Sequence, residues 1–515
     1  MCNPNKVFLV CACLLAVWII PPALGEVKLP AIISDNMVLQ QSAEAAIWGW
    51  ASPGEQVTVT LAGQKAAATA DAKGDWSVRL ATPKPGGPYE LTVTGADNTI
   101  TVKNVLVGQV WLCSGQSNMA FPLKASADAG AELPAARFPS IRLFTVAASF
   151  QDAPANDVAG EWRECEPNAA ADFSAVAYYF GRDLHNILGV PVGLINSSVG
   201  GTKAELWTSK QAFETDPNLK EALEDHQRRA DRFPSDQAKY EQDLAAWKDA
   251  AEKAKAEGKE LPAQPRSPRT PHPLGSLLNG MIAPLTHYSI AGVIWYQGES
   301  DSGAWRLYPR LFPAMISDWR RYWGRADLPF LFVQLPNYRD RRPGPSDSNW
   351  ARLREAQLMA LAAPDTAMAV TIDIGDPNDV HPANKRDVGL RLSLAAQKIA
   401  YGRDVVWSGP ICDSVKFEGS RAIVSFKHPG GGLVARGPAL TGFALAGDDR
   451  RFVWAEARIE GPTVIVSSPD VPQPVALRYA WADNPECNLY NREGLPASPF
   501  RTDDWPKGRA ASAPQ

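Results

Sequence analysis

Residues 105–401 constrain the fold most. Short apolar runs at 105–112, 192–196, 289–296, 329–334 and 368–374 alternate with helical stretches at 173–188, 308–322 and 384–401. A continuously apolar strand must be buried on both faces, and a helix between strands supplies the crossover that parallel pairing needs. The pattern predicts a mostly parallel sheet between two layers of helices. Ligands of such sheets bind beyond the carboxyl ends of the strands.

The flanks have a different period. Over residues 26–104, strand-like segments at 46–50, 56–61, 75–80, 89–94 and 100–102 are separated by turn residues such as Ser52-Pro53-Gly54 and Pro85-Gly86-Gly87-Pro88. Alternation with frequent turns predicts a small β-sandwich. Residues 409–505 return to strands, at 422–426, 452–455, 463–466 and 476–480, and predict a second β-rich region. It is expected to be irregular beyond 486, with a disordered tail at 506–515. The residues that carry chemistry fall in the segment between, 105–408. Within it, 208–275 is rich in Ala, Lys, Glu, Asp and Gln, and Tyr240, Leu244, Trp247 and Ala251 recur at helical spacing. A helical insertion is expected there, either a solvated excursion or a lid.

Residues 1–25 read as an export signal: Lys6 is the only charge, 7–20 is apolar, and Pro21-Pro22-Ala23-Leu24-Gly25 offers small residues for cleavage. An uncleaved anchor is the alternative reading. Once the signal is removed no membrane span is expected, which places the protein in the periplasm or outside the cell. Cys113, Cys165, Cys412 and Cys487 remain, an even number that permits pairs 113–165 and 412–487. Their spacing carries no metal pattern, and neither metal nor cofactor is expected. A net charge of −4 with no block of Lys and Arg excludes a nucleic-acid partner. Seventeen Trp supply either core packing or platforms for sugar rings.

Chemistry concentrates after the strand ends. Ser117 follows the run 105–112 in Gly115-Gln116-Ser117-Asn118-Met119, which is not the G-x-S-x-G elbow because Met119 replaces the last glycine. A serine at a strand-to-helix turn is either a helix cap or an exposed nucleophile, and as a nucleophile it needs a base. His381 follows the strand at 368–374 in a polar loop, with Asp379 two residues before it and Pro382 opening a helix from 384 to 400. It is the histidine placed to take a serine proton. Either Asp379 or Glu299, in Gln297-Gly298-Glu299, could orient the imidazole. Oxyanion donors would be the N–H of Ser117, a backbone N–H of Gly200 or Gly201, and the side chain of Gln297. Asn118, Trp295, Tyr296 and Asp301 are candidate substrate contacts.

These pieces together resemble the SGNH (GDSL-like) hydrolase superfamily and, more closely, the sialate 9-O-acetylesterase family of carbohydrate acetylesterases. The matching stretches are Leu29-Pro-Ala-Ile-Ile-Ser-Asp-Asn-Met37, the Gly115–Met119 motif, Val199-Gly-Gly-Thr202, Trp295-Tyr-Gln-Gly-Glu-Ser-Asp301, Asp379-Val-His-Pro382, Asn484-Pro-Glu-Cys-Asn-Leu-Tyr-Asn491 and Leu495-Pro-Ala-Ser-Pro-Phe-Arg501. The resemblance implies a three-layer α/β/α core of flavodoxin-like type with β modules at both ends. It also implies Ser117 as nucleophile, His381 as base, and an acetylated carbohydrate as substrate. That carbohydrate would be a sialic acid, or a plant polysaccharide such as xylan or xyloglucan for which Trp295, Tyr296, Trp305 and Tyr308 would be platforms. The chain departs from the superfamily's D-x-x-H, since Asn378 stands three before His381, which leaves the orienting acid open. The contrasting expectation is a non-catalytic carbohydrate-binding protein on a hydrolase-like core.

Overall fold

The central sheet runs, in spatial order, Thr366–Val370, Phe330–Gln334, Gly292–Tyr296, Thr99–Gly115, Val192–Ser198, Phe138–Thr145 and Trp162–Cys165. All neighbours are parallel except the last, which pairs antiparallel with Phe138–Thr145. A computed structural model describes residues 26–505, Arg269 excepted. The expected export signal and C-terminal tail lie outside the described residues. Without the edge hairpin 138–165 the strand order is 2-1-3-4-5, that of flavodoxin-like folds, with its switch point at Thr99–Gly115. Every residue of Gly292–Tyr296, Phe330–Gln334 and Thr366–Val370 is buried. Helix Ala175–Leu188 packs on Arg386–Ile399, and Tyr308–Trp323 on Asn349–Met359, which covers these strands. The three-layer α/β/α core is therefore as expected.

Two differences have clear causes. Phe138–Thr145 carries a buried arginine, Arg142, whose guanidinium bonds Pro139 O and Asn104 Oδ1, so no continuous apolar run announces it. The last helix begins at Arg386, two residues after the expected Asn384, whose Oδ1 accepts Asp387 N–H at 3.2 Å across the helix start.

The flanking β modules are built on the same chain continuity. Thr99–Gly115 is one strand of 17 residues. Its first part pairs antiparallel with Gly86–Thr94 and its last part is the centre of the parallel sheet, so the expected boundary at 104/105 falls inside a strand. Alternate residues Trp76, Val78 and Leu80 of Asp75–Ala81 point inward, as do Val57, Val59 and Leu61 of Gln56–Leu61. At the other end two four-stranded sheets enclose a separate core that includes Val424, Phe443, Leu445, Val464, Leu477 and Phe500. The stretch beyond 486 contains the strands Leu489–Asn491 and Phe500–Arg501 and is not irregular throughout. Arg354, wholly buried, donates to Leu335 O, Pro336 O, Ala482 O and Asp483 O and so ties this module to the catalytic sheet.

The expected insertion contains helix Lys220–Ala256, 37 residues with none buried. Trp247 Nε1 donates to Pro262 O at 2.8 Å, so the irregular return lies back along the helix. The four cysteines are free, which corrects both expected disulfides. Cys113 and Cys165 are separated by the two intervening strands Val192–Ser198 and Phe138–Thr145, roughly 14 Å at the usual strand spacing, too far to bridge.

Candidate active site

Strand register assembles the site. Gly115 stands opposite Ser198 on one side and Tyr296 on the other, so the three loops that follow leave the sheet at one level. Gly115 has φ +138°, and a Cβ there would stand 2.1 Å from Tyr296 O, so the turn before Ser117 requires glycine. Gln116 N–H then donates to Tyr296 O at 3.0 Å, and the chain enters the short helix Ser117–Ala120.

His381 Nε2 lies 2.8 Å from Ser117 Oγ. The two residues are 264 apart in sequence and meet through the loop that follows Thr366–Val370. A hydroxyl at that distance from a neutral imidazole nitrogen can pass it a proton. Gly200 approaches from the neighbouring loop: a Cβ on it would lie 3.4 Å from Ser117 Cβ. The Ser117 N–H, in a first helical turn, has no intrahelical carbonyl to donate to.

The two carboxylates separate. Asp379 Oδ1 accepts His381 N–H at 2.8 Å and stands 3.4 Å from Nδ1. Its side chain is 61% exposed, so water competes for it and its field is screened. Glu299 does not meet the imidazole. It is half-buried, with Oε2 shielded from solvent; its Oε1 accepts from Asn118 Nδ2 at 2.5 Å, and desolvation raises its pKa, which the Asn118 bond opposes. Asp379 is thus the acid beside His381, in a weak position. Asp379→Asn is expected to lower kcat by only about 10-fold, against the ~10⁴-fold loss when a buried triad aspartate is neutralised. Steady-state hydrolysis of a chromogenic acetyl ester checks this.

Several expected contacts are occupied elsewhere. Gln297 Nε2 donates to Thr202 O at 3.1 Å and to Asp301 Oδ2 at 2.6 Å, so neither N–H is free for an oxyanion. Gly201 has φ +73° and nothing within 4 Å of a Cβ built on it, so Gly200 is the member of the pair that abuts Ser117. Asn118 is buried and bonds Glu299, Val380 O and Lys385. Asp301 is buried, accepts from Ala204 N–H at 2.9 Å, and is pushed up to about 6 by its burial. Trp295 packs in the core among Trp207, Phe312 and Trp319, while Tyr296 and Tyr308 are also buried. Trp305 has the guanidinium groups of Arg306 and Arg352 within 4.3 and 4.6 Å of its ring centroid. None of Asn118, Trp295, Tyr296 and Asp301 offers surface to a substrate. Among the described residues no three His, Cys, Asp or Glu side chains are grouped as metal ligands would be.

Sequence reading missed Lys385 and the groove beside the glycine loop. Lys385 precedes a helix N-terminus, where a cation is disfavoured, and that was its one signal. The groove encloses about 650 Å³ and is lined by Gly200 to Lys203, by Arg229, Arg232 and Phe233 of the insertion, and by His272 of its return. Phe150, which is exposed, stacks at 4.2 Å on the half-buried ring of His272. The insertion therefore forms one wall of the groove that Gly200 and Gly201 border.

The model of the carbohydrate esterase family described as sialic acid-specific acetylesterase matches residues 268–400. A sialate O-acetylesterase of Mus musculus is 31% identical over 92% of this chain and 94% of its own length. The chain belongs to the sialate O-acetylesterase family. The Homo sapiens enzyme is 30% identical, with 92% of each chain covered. Among solved structures, a carbohydrate acetylesterase from Xanthomonas citri superposes with a TM-score of 0.79 at 39% identity, over 93% of this chain and 100% of that one. As a member of the sialate O-acetylesterase family the protein is a carboxylic ester hydrolase. The matched region holds Glu299 and His381, and the full-length relatives extend the family to the Ser117 loop.

Proposed function

We propose that this chain removes O-acetyl groups from sialic acids by a two-step serine mechanism, and the observation that carries it is the 2.8 Å contact between His381 Nε2 and Ser117 Oγ. His381 takes the hydroxyl proton while Oγ bonds to the acetyl carbonyl carbon, and the carbonyl electron pair moves onto oxygen. The N–H groups of Ser117 and Gly200 receive that oxyanion, each such donor contributing about 3 kcal/mol to the transition state. Collapse expels the sugar oxygen, which takes the proton from His381. Water then loses a proton to His381 and attacks the acetyl-serine, and the second collapse releases acetate and returns the proton to Oγ. Asp379 favours the transient imidazolium across 3.4 Å.

The groove supports an anionic sugar. Arg229 is engaged with Glu205 and Asp225, but Arg232, which also lines the groove, bonds Asp236 through Nε and so keeps its terminal amino groups for another acceptor. With Lys203 it can meet a sugar carboxylate, while the Phe150–His272 pair suits a pyranose face. Arg232→Gln is expected to raise KM for O-acetylated sialic acid about 10-fold and to leave kcat and 4-nitrophenyl acetate turnover unchanged. Acetate release from O-acetylated sialic acid and from acetylated xylan, measured side by side, tests the substrate. Preference for xylan would transfer the reading to a neutral polysaccharide, and no release from either would overturn it.

Export is proposed from the sequence of residues 1–25, to the periplasm or beyond the cell. Among the described residues no helix is long and apolar enough to cross a membrane.

A further inference from the structure

Behind the serine and histidine lies a cation without water. Lys385 has no exposed surface. Its ammonium sits over the rings of Phe121 and Tyr296, 4.7 and 5.3 Å from their centroids, and donates to Asn118 Oδ1. The opposite side of the same carboxamide faces Glu299, whose Oε1 accepts from Nδ2 at 2.5 Å and whose Oε2 is buried without a partner. The second Nδ2 hydrogen goes to Val380 O at 3.0 Å.

Asn118 is the residue after the nucleophile and Val380 the residue before the base. One hydrogen bond therefore joins the two loops next to their reacting side chains. The amide that makes it is held between an ammonium at its oxygen and a carboxylate at its nitrogen. Its orientation is fixed by charge, and the ammonium draws electrons from the N–H groups and strengthens what they donate to.

We propose that Lys385 is a positioning residue for the reaction: acting through Asn118 and Glu299 it locks the His381 loop to the Ser117 loop, and the lock requires its ammonium form. This rests on the serine esterase reading. The groups facing this assembly are few. Asp379 and Glu299 act on Lys385, and Asp301 and the phenol of Tyr296 lie near Glu299. Burial holds the phenol neutral by raising it well above its usual range. Asp301, at about 6, changes charge on the acid side. Lys385, pulled down to about 7 by burial against the opposing pull of Glu299 and Asp379, changes charge on the alkaline side. As pH rises through that value the ammonium is lost, and the Glu299 carboxylate loses its counter-charge.

The test is kcat and KM for 4-nitrophenyl acetate between about pH 5 and about pH 10. The wild type is expected to lose kcat on the alkaline side. In Lys385→Met kcat is expected to fall about 100-fold with KM unchanged, and the alkaline loss to disappear, as befits misplacement of reacting groups. Because Lys385→Met leaves Glu299 an unpaired buried charge, the double variant Lys385→Met/Glu299→Gln is measured alongside. It is expected to regain the melting temperature of the wild type but not its kcat. Wild-type kcat in either variant, or a lowered kcat with the alkaline limb intact, overturns the proposal. Failure of the parent reading looks different: there the wild type itself neither turns over nor takes a fluorophosphonate on Ser117.

Discussion

Ser117→Ala is expected to lower kcat for acetyl-ester hydrolysis by about 10⁴- to 10⁶-fold while the protein folds as before. The size follows from the mechanism: without Oγ no acetyl-enzyme forms, and only the oxyanion donors and binding remain. The unchanged fold follows from the packing. The Ser117 hydroxyl is bonded to His381, itself half-buried, and the tight turn beside it depends on Gly115 rather than on the serine side chain. A substitution away from core contacts shifts stability by no more than about 0.5 kcal/mol. Acetate release and the thermal melt, measured on the same preparation, separate the two quantities.

The second large effect belongs to His381→Gln, again about 10⁴- to 10⁶-fold in kcat. Glutamine can keep a hydrogen bond to Oγ, but it cannot carry the proton from serine to the departing sugar oxygen. Nucleophile and base act as one unit, so the double variant Ser117→Ala/His381→Gln is expected to be no slower than either single variant. Losses that multiplied would mean that the two side chains serve separate steps, contrary to the 2.8 Å contact between them. The same logic sets Asp379 apart. An exposed acid 3.4 Å from Nδ1 can bias the imidazole, yet removing it leaves the proton path in place.

The layered core was legible in the sequence because it rests on a strong periodic signal, and Ser117 and His381, weak candidates singly, became legible as a pair through the motifs that carry the family resemblance. Continuously apolar strands announce burial on both faces, and motifs at their carboxyl ends announce a site. What escaped depends on polar groups doing structural work. Phe138–Thr145 hides behind Arg142, and helix Asn349–Met359 buries Arg352, Arg354 and Gln357, so its inward face does not read as apolar. The motif residues Asn118 and Asp301 read as substrate contacts, and Gln297 as an oxyanion donor, because polar residues beside a nucleophile invite those roles. Their hydrogen bonds instead fasten the three loops to one another. Trp295 and Tyr296 read as sugar platforms, but strand alternation cannot expose them in a sheet covered on both faces. Disulfide expectation failed for a related reason: an even count of cysteines says nothing about strand order, and strand order separates Cys113 from Cys165.

The account depends on Ser117 being the group that receives the acyl chain, and mass spectrometry of the protein after reaction with a fluorophosphonate reads this directly. The expected result is one adduct per chain on the peptide that contains Ser117, absent in Ser117→Ala and formed far more slowly in His381→Gln. A wild-type protein that releases acetate while its adduct sits on another residue, or forms none, would contradict it.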